Sequence, residues 1–167
     1  MKRVAIVAMG IVTALALSPV ASQGGAFEGP DAEIRGGLTD NYKGDGIQNA
    51  SGDMQVARGR TRIGRKAIFQ IKVTNLDVDQ DDYDVSACNS NSNFKITYKA
   101  DGQSFGDEDF DLDDLAGGNS NDDLRLHIKV KDSAEVGDVK KCKTLFESVN
   151  NPGRVDAVKA RDKVKAG

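Results

Sequence analysis

The residues best equipped for chemistry in this 167-residue sequence are Asp77, Asp79, Asp81, Asp82 and Asp84, five carboxylates within eight positions. Hard carboxylate oxygens at loop spacing are what a Ca²⁺ ion takes as ligands. These five are therefore the candidate metal ligands, with Asn75 and a turn carbonyl available to complete a site at a sheet edge. A helix–loop–helix calcium loop would need Gly at its sixth position and Glu at its twelfth. Asp82 and Cys88 stand there instead, and the flanks alternate as strands do. A second acidic run, Asp107, Asp109, Asp111 and Asp113, alternates with Phe110 and Leu112. It reads as a solvent-facing row, with Lys95, Lys99, Arg125, Lys129 and Lys131 expected as cross-strand partners.

Catalysis has little to draw on. His127 is the sole histidine, set between Arg125 and Lys129 on the outward phase of a strand pattern. The nucleophile–base pairs and zinc sites built on several histidines are therefore excluded. A carboxylate pair could hydrolyse a glycoside, but any set of 26 acids contains such pairs. The reading is that the chain is not an enzyme and holds no cofactor beyond Ca²⁺. Arg58, Arg60, Arg62, Arg65 and Lys66 place five cations in nine residues. They are read as a solvated stretch answering the acidic runs, with an anionic-ligand patch as the competing reading.

The N-terminus looks like a processing signal. Met1, Lys2 and Arg3 precede an uncharged run over 4–17, then Ser18-Pro19, then small residues at Ala21, Ser22, Gly24, Gly25 and Ala26. This predicts a signal peptide over 1–22, with cleavage between 22 and 26, and a secreted or extracytoplasmic mature chain. The run is shorter than the roughly 20 apolar residues of a membrane helix, so no membrane insertion of the mature chain is expected. A flexible segment over 23–30 and one domain over 31–165 would follow. Loss of Lys2 and Arg3 moves the formal charge from 23 − 26 = −3 to 21 − 26 = −5. An acidic total argues against a nucleic-acid or anionic-lipid partner, and the absence of Trp leaves few rings for the stacking platforms on which carbohydrate-binding surfaces and single-strand nucleic-acid grooves both rely. In an oxidising compartment Cys88 and Cys142 are expected to form one disulfide, with free thiols as the alternative.

The elements that must carry these residues are strands. Over 67–75, Phe69, Ile71 and Val73 alternate with Gln70, Lys72 and Thr74, the period of two of a half-buried strand. The pattern recurs over 94–100, 109–113, 124–130, 138–148 and 154–164, and over a strand carrying Tyr83, Val85 and Ala87 inward. Short strands are predicted at 31–35 and at 53–58, the latter with Met54 and Val56 on one side. Cys142, Thr144, Phe146 and Ser148 share a face, as do Val158, Ala160 and Val164. No stretch keeps a helical period. Seven to eight short strands in a chain of this length predict a two-sheet antiparallel β-sandwich.

The strings RKAIFQIKVTNLDVDQDDYDV (65–85), FKITYKADG (94–102), DDLRLHIKVKDSAEVGD (122–138) and ESVNNPGRVDAVKA (147–160) resemble the immunoglobulin-like modules of bacterial exported proteins. The lead-in YKGDGIQNASGDMQVARG (42–59) is similar to that of some such modules. The resemblance implies an immunoglobulin-like, all-β sandwich. It also implies a structural, adhesion or interaction role toward a protein or glycan at the cell surface; a Ca²⁺-dependent binding module is the alternative. The acidic turn after Asn75 departs from the Gly-rich turn of those modules. Cys88 also lies past the second strand rather than at the inter-sheet bridge of antibody domains.

Overall fold

A computed structural model of the chain describes residues 28–37 and 39–167, so the predicted signal peptide lies outside the described residues. Among the described residues, ten strands form two five-stranded sheets. In spatial order the first sheet is β1 (Pro30–Arg35), β3 (Lys66–Asn75), β8 (Ser120–Val130), β5 (Phe94–Ala100) and β6 (Gln103–Gly106). The second is β2 (Val56–Thr61), β10 (Val155–Val164), β9 (Val139–Ser148), β4 (Asp81–Ser86) and β7 (Phe110–Leu115). All pairings are antiparallel except β2 with β10, which run parallel. The second sheet is thus mixed rather than purely antiparallel. β2 and β10 are far apart in sequence, so no short hairpin dictates their relative direction.

The alternation in the sequence becomes the inner face of each sheet. Phe69, Ile71 and Val73 of β3 pack with Leu124, Leu126, Ile128 and Val130 of β8 and Phe94, Ile96 and Tyr98 of β5, all buried. Tyr83, Val85, Cys142, Phe146, Val158, Ala160 and Val164 face them from the second sheet. A polar link crosses the middle of this interior: Tyr98 Oη and Thr144 Oγ1 lie 2.8 Å apart, and Tyr98 Oη also accepts the Cys88 N–H at 3.1 Å. The Cys88–Cys142 disulfide is formed, joining the end of β4 to the middle of β9.

Three expectations need correction. The strand placed at 53–58 begins at Val56, because Met54 adopts φ 69° and stands 79% exposed in the preceding turn. β6 is an added strand: Asp101 and Gly102 both take positive φ, the turn geometry that folds β5 directly back on itself. The acidic row on β7 does not face the lysines of β5 and β8. It lies in the other sheet beside β4, where Asp111 stands opposite Asp84.

Candidate functional site

Period-two alternation that buries one face of β2, β10 and β9 presents the other to solvent. On β10 the outward positions are Lys159, Arg161 and Lys163. The register places Lys159 between Val56 and Lys143, Arg161 between Arg58 and Lys141, and Lys163 between Arg60 and Val139. Seven of these nine adjacent positions carry cations, and none carries an acid. Lys159 is paired with Asp53 at 2.8 Å, and Lys143 donates to the Ala50 carbonyl at 3.2 Å. Arg58, Arg60, Lys141, Arg161 and Lys163 have no ion pair among the described residues, and Arg161 Nε is buried without a hydrogen-bond partner. Two shallow depressions of about 450 and 350 Å³ meet at Arg58 and Arg161.

The acidic groups gather elsewhere. Outward Asp82 and Asp84 of β4, Asp111 and Asp113 of β7, and Glu147 of β9 occupy the opposite half of the same sheet. Within the turn, Asn75 is the organiser: its Nδ2 donates to the Asp79 and Leu115 carbonyls at 2.8 Å each, and its Oδ1 accepts the Asp77 N–H at 2.9 Å. Asp77 pairs with Arg154 at 2.8 Å. Asp81 is 2% exposed and accepts from Asp82 N, Asn150 N and Ser148 Oγ. Asp82 Oδ1 accepts the Asp114 N–H, and Asp84 points outward along β4. The buried Tyr83 hydroxyl beside them has its pKa raised, by burial first and then by Asp81 and Asp77. Most of these five carboxylates therefore fasten the turn, and the structure does not gather three of them into one cluster.

Two sets of buried acids were hidden in the sequence. Asp156 and Asp162 are in phase with Val158 and Ala160 and point inward from β10. Asp156 accepts hydrogen bonds from Ala32 N (2.7 Å), Asn49 N (3.0 Å), Ala157 N (2.8 Å) and Gln55 Nε2 (2.8 Å), yet burial pushes its pKa up to about 6. Asp31 and Glu33 of β1 lie close to Asp45 from the following turn. Burial, then Glu33 and Asp45, raise the Asp31 pKa against the Gly46 N–H that lowers it. His127 sits half-buried on the outer face of the first sheet; burial lowers its pKa first, then Lys66, Lys99 and Arg125.

No family model and no curated protein matches the sequence. Among solved structures, the N-terminal domain of PorA superposes with a TM-score of 0.55 at 16% identity, over 81% of this chain and 98% of that domain. A type I cohesin from Pseudobacteroides cellulosolvens gives a TM-score of 0.38 at 11% identity, over 67% of this chain and 91% of that one. The collagen-binding subdomain of the Enterococcus faecalis surface protein ACE gives 0.33 at 14% identity, over 65% and 94%. The chain is an all-β protein with an immunoglobulin-like sandwich fold. Among the described residues no helix is long and apolar enough to cross a membrane.

Proposed function

We propose that this chain is an exported, non-catalytic immunoglobulin-like module that binds an acidic glycan at the cell surface. The observation that carries the reading is the block of seven cations on the outer face of β2, β10 and β9. Like charges set directly opposite one another destabilise a sheet, so this grouping is costly unless a partner relieves it. Charged side chains on an edge strand discourage aggregation, which accounts for Arg58 and Arg60 on β2. That argument does not reach the five on β10 and β9, which are interior strands. The chemistry favours a polymer over a folded protein. Protein interfaces draw much of their energy from buried Trp, Tyr and Arg anchors; this block has arginines but no aromatic ring to pack with them, and Val56 and Val139 at two corners are its only apolar side chains. Cations repeating every two residues along each strand and about 4.8 Å across strands suit a chain of regularly spaced anions. Export is supported by the N-terminal charge and hydropathy pattern and by the disulfide.

The test is binding to polygalacturonate, with polyglutamate as the acidic-peptide comparison, in low and moderate salt. Polygalacturonate is expected to bind, to weaken as salt screens the charges, and to lose tenfold or more in affinity with Arg58→Glu/Arg161→Glu. Lys95→Glu/Lys129→Glu on the other sheet leaves binding unchanged. No binding at low salt, tighter binding to polyglutamate, or equal loss in both double variants would overturn the reading.

A further inference from the structure

Asp31 and Glu33 are alternate residues of β1 and share the outer side of the first sheet, away from Ala32 and Ile34 in the core. That side is roofed by the turn over 44–47. Ile47 N donates to the Gly44 carbonyl at 2.7 Å, and Gly46 N donates to Asp31 Oδ2 at 3.1 Å. Gly44 takes φ 122°, and a Cβ there would meet the Ala32 carbonyl at 2.7 Å, so the turn lies directly on the strand. Asp45, solvent-exposed in this turn, completes a group in which one carboxylate oxygen from each of Asp31, Glu33 and Asp45 lies within 4.8 Å of the other two.

We infer that these three carboxylates form a Ca²⁺ site that clamps the turn onto the edge strand of the first sheet. Proximity of acids alone would not carry this, since exposed carboxylates often cluster without a ligand. The independent observation is Asp31 itself: the residue is 4% exposed, and its Oδ1 is buried with no hydrogen-bond partner. A carboxylate oxygen buried without a donor is strongly disfavoured, and a cation supplies what the protein does not. Two oxygens bound to one Ca²⁺ at about 2.3–2.6 Å can be up to about 5 Å apart, so the observed separations are within reach. The donor set is oxygen only, which selects hard ions over zinc or copper. The charge also closes: three carboxylates against the Lys72 ammonium, which pairs with Glu33, leave two negative charges for a divalent ion to cancel. Calcium is favoured over magnesium because its flexible shell tolerates ligands drawn from a strand and a separate turn, whereas magnesium demands near-ideal octahedral geometry.

The site is independent of the basic face on the other sheet, so each is tested without the other. CaCl₂ is titrated calorimetrically into the EDTA-treated full chain, with thermal unfolding followed in parallel; polygalacturonate binding is measured in EDTA. A saturable one-site isotherm and a raised unfolding midpoint are expected, because an ion that binds only the folded state stabilises it. Asp45→Asn, a change at an exposed side chain, weakens calcium at least tenfold without lowering the calcium-free midpoint, since it removes one of three mutually repelling carboxylates. Lys72→Met tightens calcium several-fold, since the competing ammonium is gone. Asp79→Asn, in the acidic turn, binds as the parent does. The inference is overturned by no heat and no midpoint shift in millimolar CaCl₂, by parental affinity in Asp45→Asn, or by weaker binding in Lys72→Met. Loss of binding in Asp79→Asn would place the ion in the acidic turn instead, and an equal response to MgCl₂ would overturn the choice of calcium.

Discussion

Asp156 is the residue on which β1 and the loop that follows it are pinned. Its two oxygens collect β1 through Ala32, the 42–55 loop through Asn49, and Gln55, itself 0% exposed and donating also to the Ala32 carbonyl at 2.8 Å. Desolvation disfavours the charged carboxylate while its donors favour it, and desolvation wins, pushing the pKa from the ordinary 3.8 up to about 6. A carboxyl whose pKa is raised on folding binds more protons folded than unfolded over that interval. Its contribution to stability is therefore fully present below pH 3.8 and is lost as pH rises through about 6. The lost amount is on the order of 3 kcal/mol. Asp31 and Asp162 are raised in the same direction and act likewise in any variant that keeps them. Urea unfolding of the parent and Asp156→Asn between pH 4 and 7 isolates this group. The stability of the parent minus that of the variant should fall across the window by that order, whichever is the more stable at neutral pH. A constant difference would show that Asp156 does not titrate there.

At the scale of elements, β4 pairs with β9 over four residue pairs, and the disulfide extends that attachment beyond the end of β4. It spans 54 residues of sequence, for which the chain-entropy argument gives about 4 kcal/mol of stabilisation. Cys88→Ala/Cys142→Ala should thus unfold at distinctly lower urea, with the parent in reductant falling to the same midpoint; an unmoved midpoint in both would rule out that contribution. Cysteine count and the inward phase of Cys142 made this bond legible from sequence, as strict alternation did for β3, β5, β8 and β9. The misplacements share a physical cause. Met54 departs from its pattern because the backbone turns left-handed there. The β7 acids lie away from the β5 and β8 lysines because alternation fixes which side a residue faces but not which sheet its strand joins. The candidate sites were obscured for the same reason. Arg58 and Arg60 meet Lys159, Arg161, Lys163, Lys141 and Lys143 only through pairing with strands about a hundred residues away, and Asp31 and Glu33 gain Asp45 only by a turn folding back. The acidic run over 77–84 is dense in carboxylates, and density is also what a turn fastened by its own side chains produces.

Across the whole molecule the charges are segregated. Cations predominate on the outer faces of β2, β10 and β9, apart from Glu147, and at Lys66, Lys129, Lys95, Arg125 and Lys99 of β3, β8 and β5, where Asp123 pairs with Arg125. Acids crowd β4, β7 and the turn between β3 and β4. A net charge of −3 therefore conceals strong local fields of opposite sign. Burial lowers the His127 pKa first, and the neighbouring Lys66, Lys99 and Arg125 of the first sheet lower it further. Such an arrangement sets stability against binding, and Arg161 at the centre of the basic block is where the opposition should be sharpest. It faces Arg58 and Lys141 across both neighbouring strands, and its buried Nε makes no hydrogen bond. Arg161→Gln removes one charge from between two others, and opposed like charges in a sheet cost roughly 0.2–1 kcal/mol per pair. The variant should unfold at a higher midpoint than the parent in low salt, with the gain shrinking at 0.5 M NaCl as screening removes the repulsion. The same substitution should weaken polygalacturonate binding. If Arg161→Gln instead lowers stability at every salt concentration, its guanidinium is held by packing along its stem rather than opposed by its neighbours, and the basic block would lose its central argument as a surface held in readiness for a polyanion.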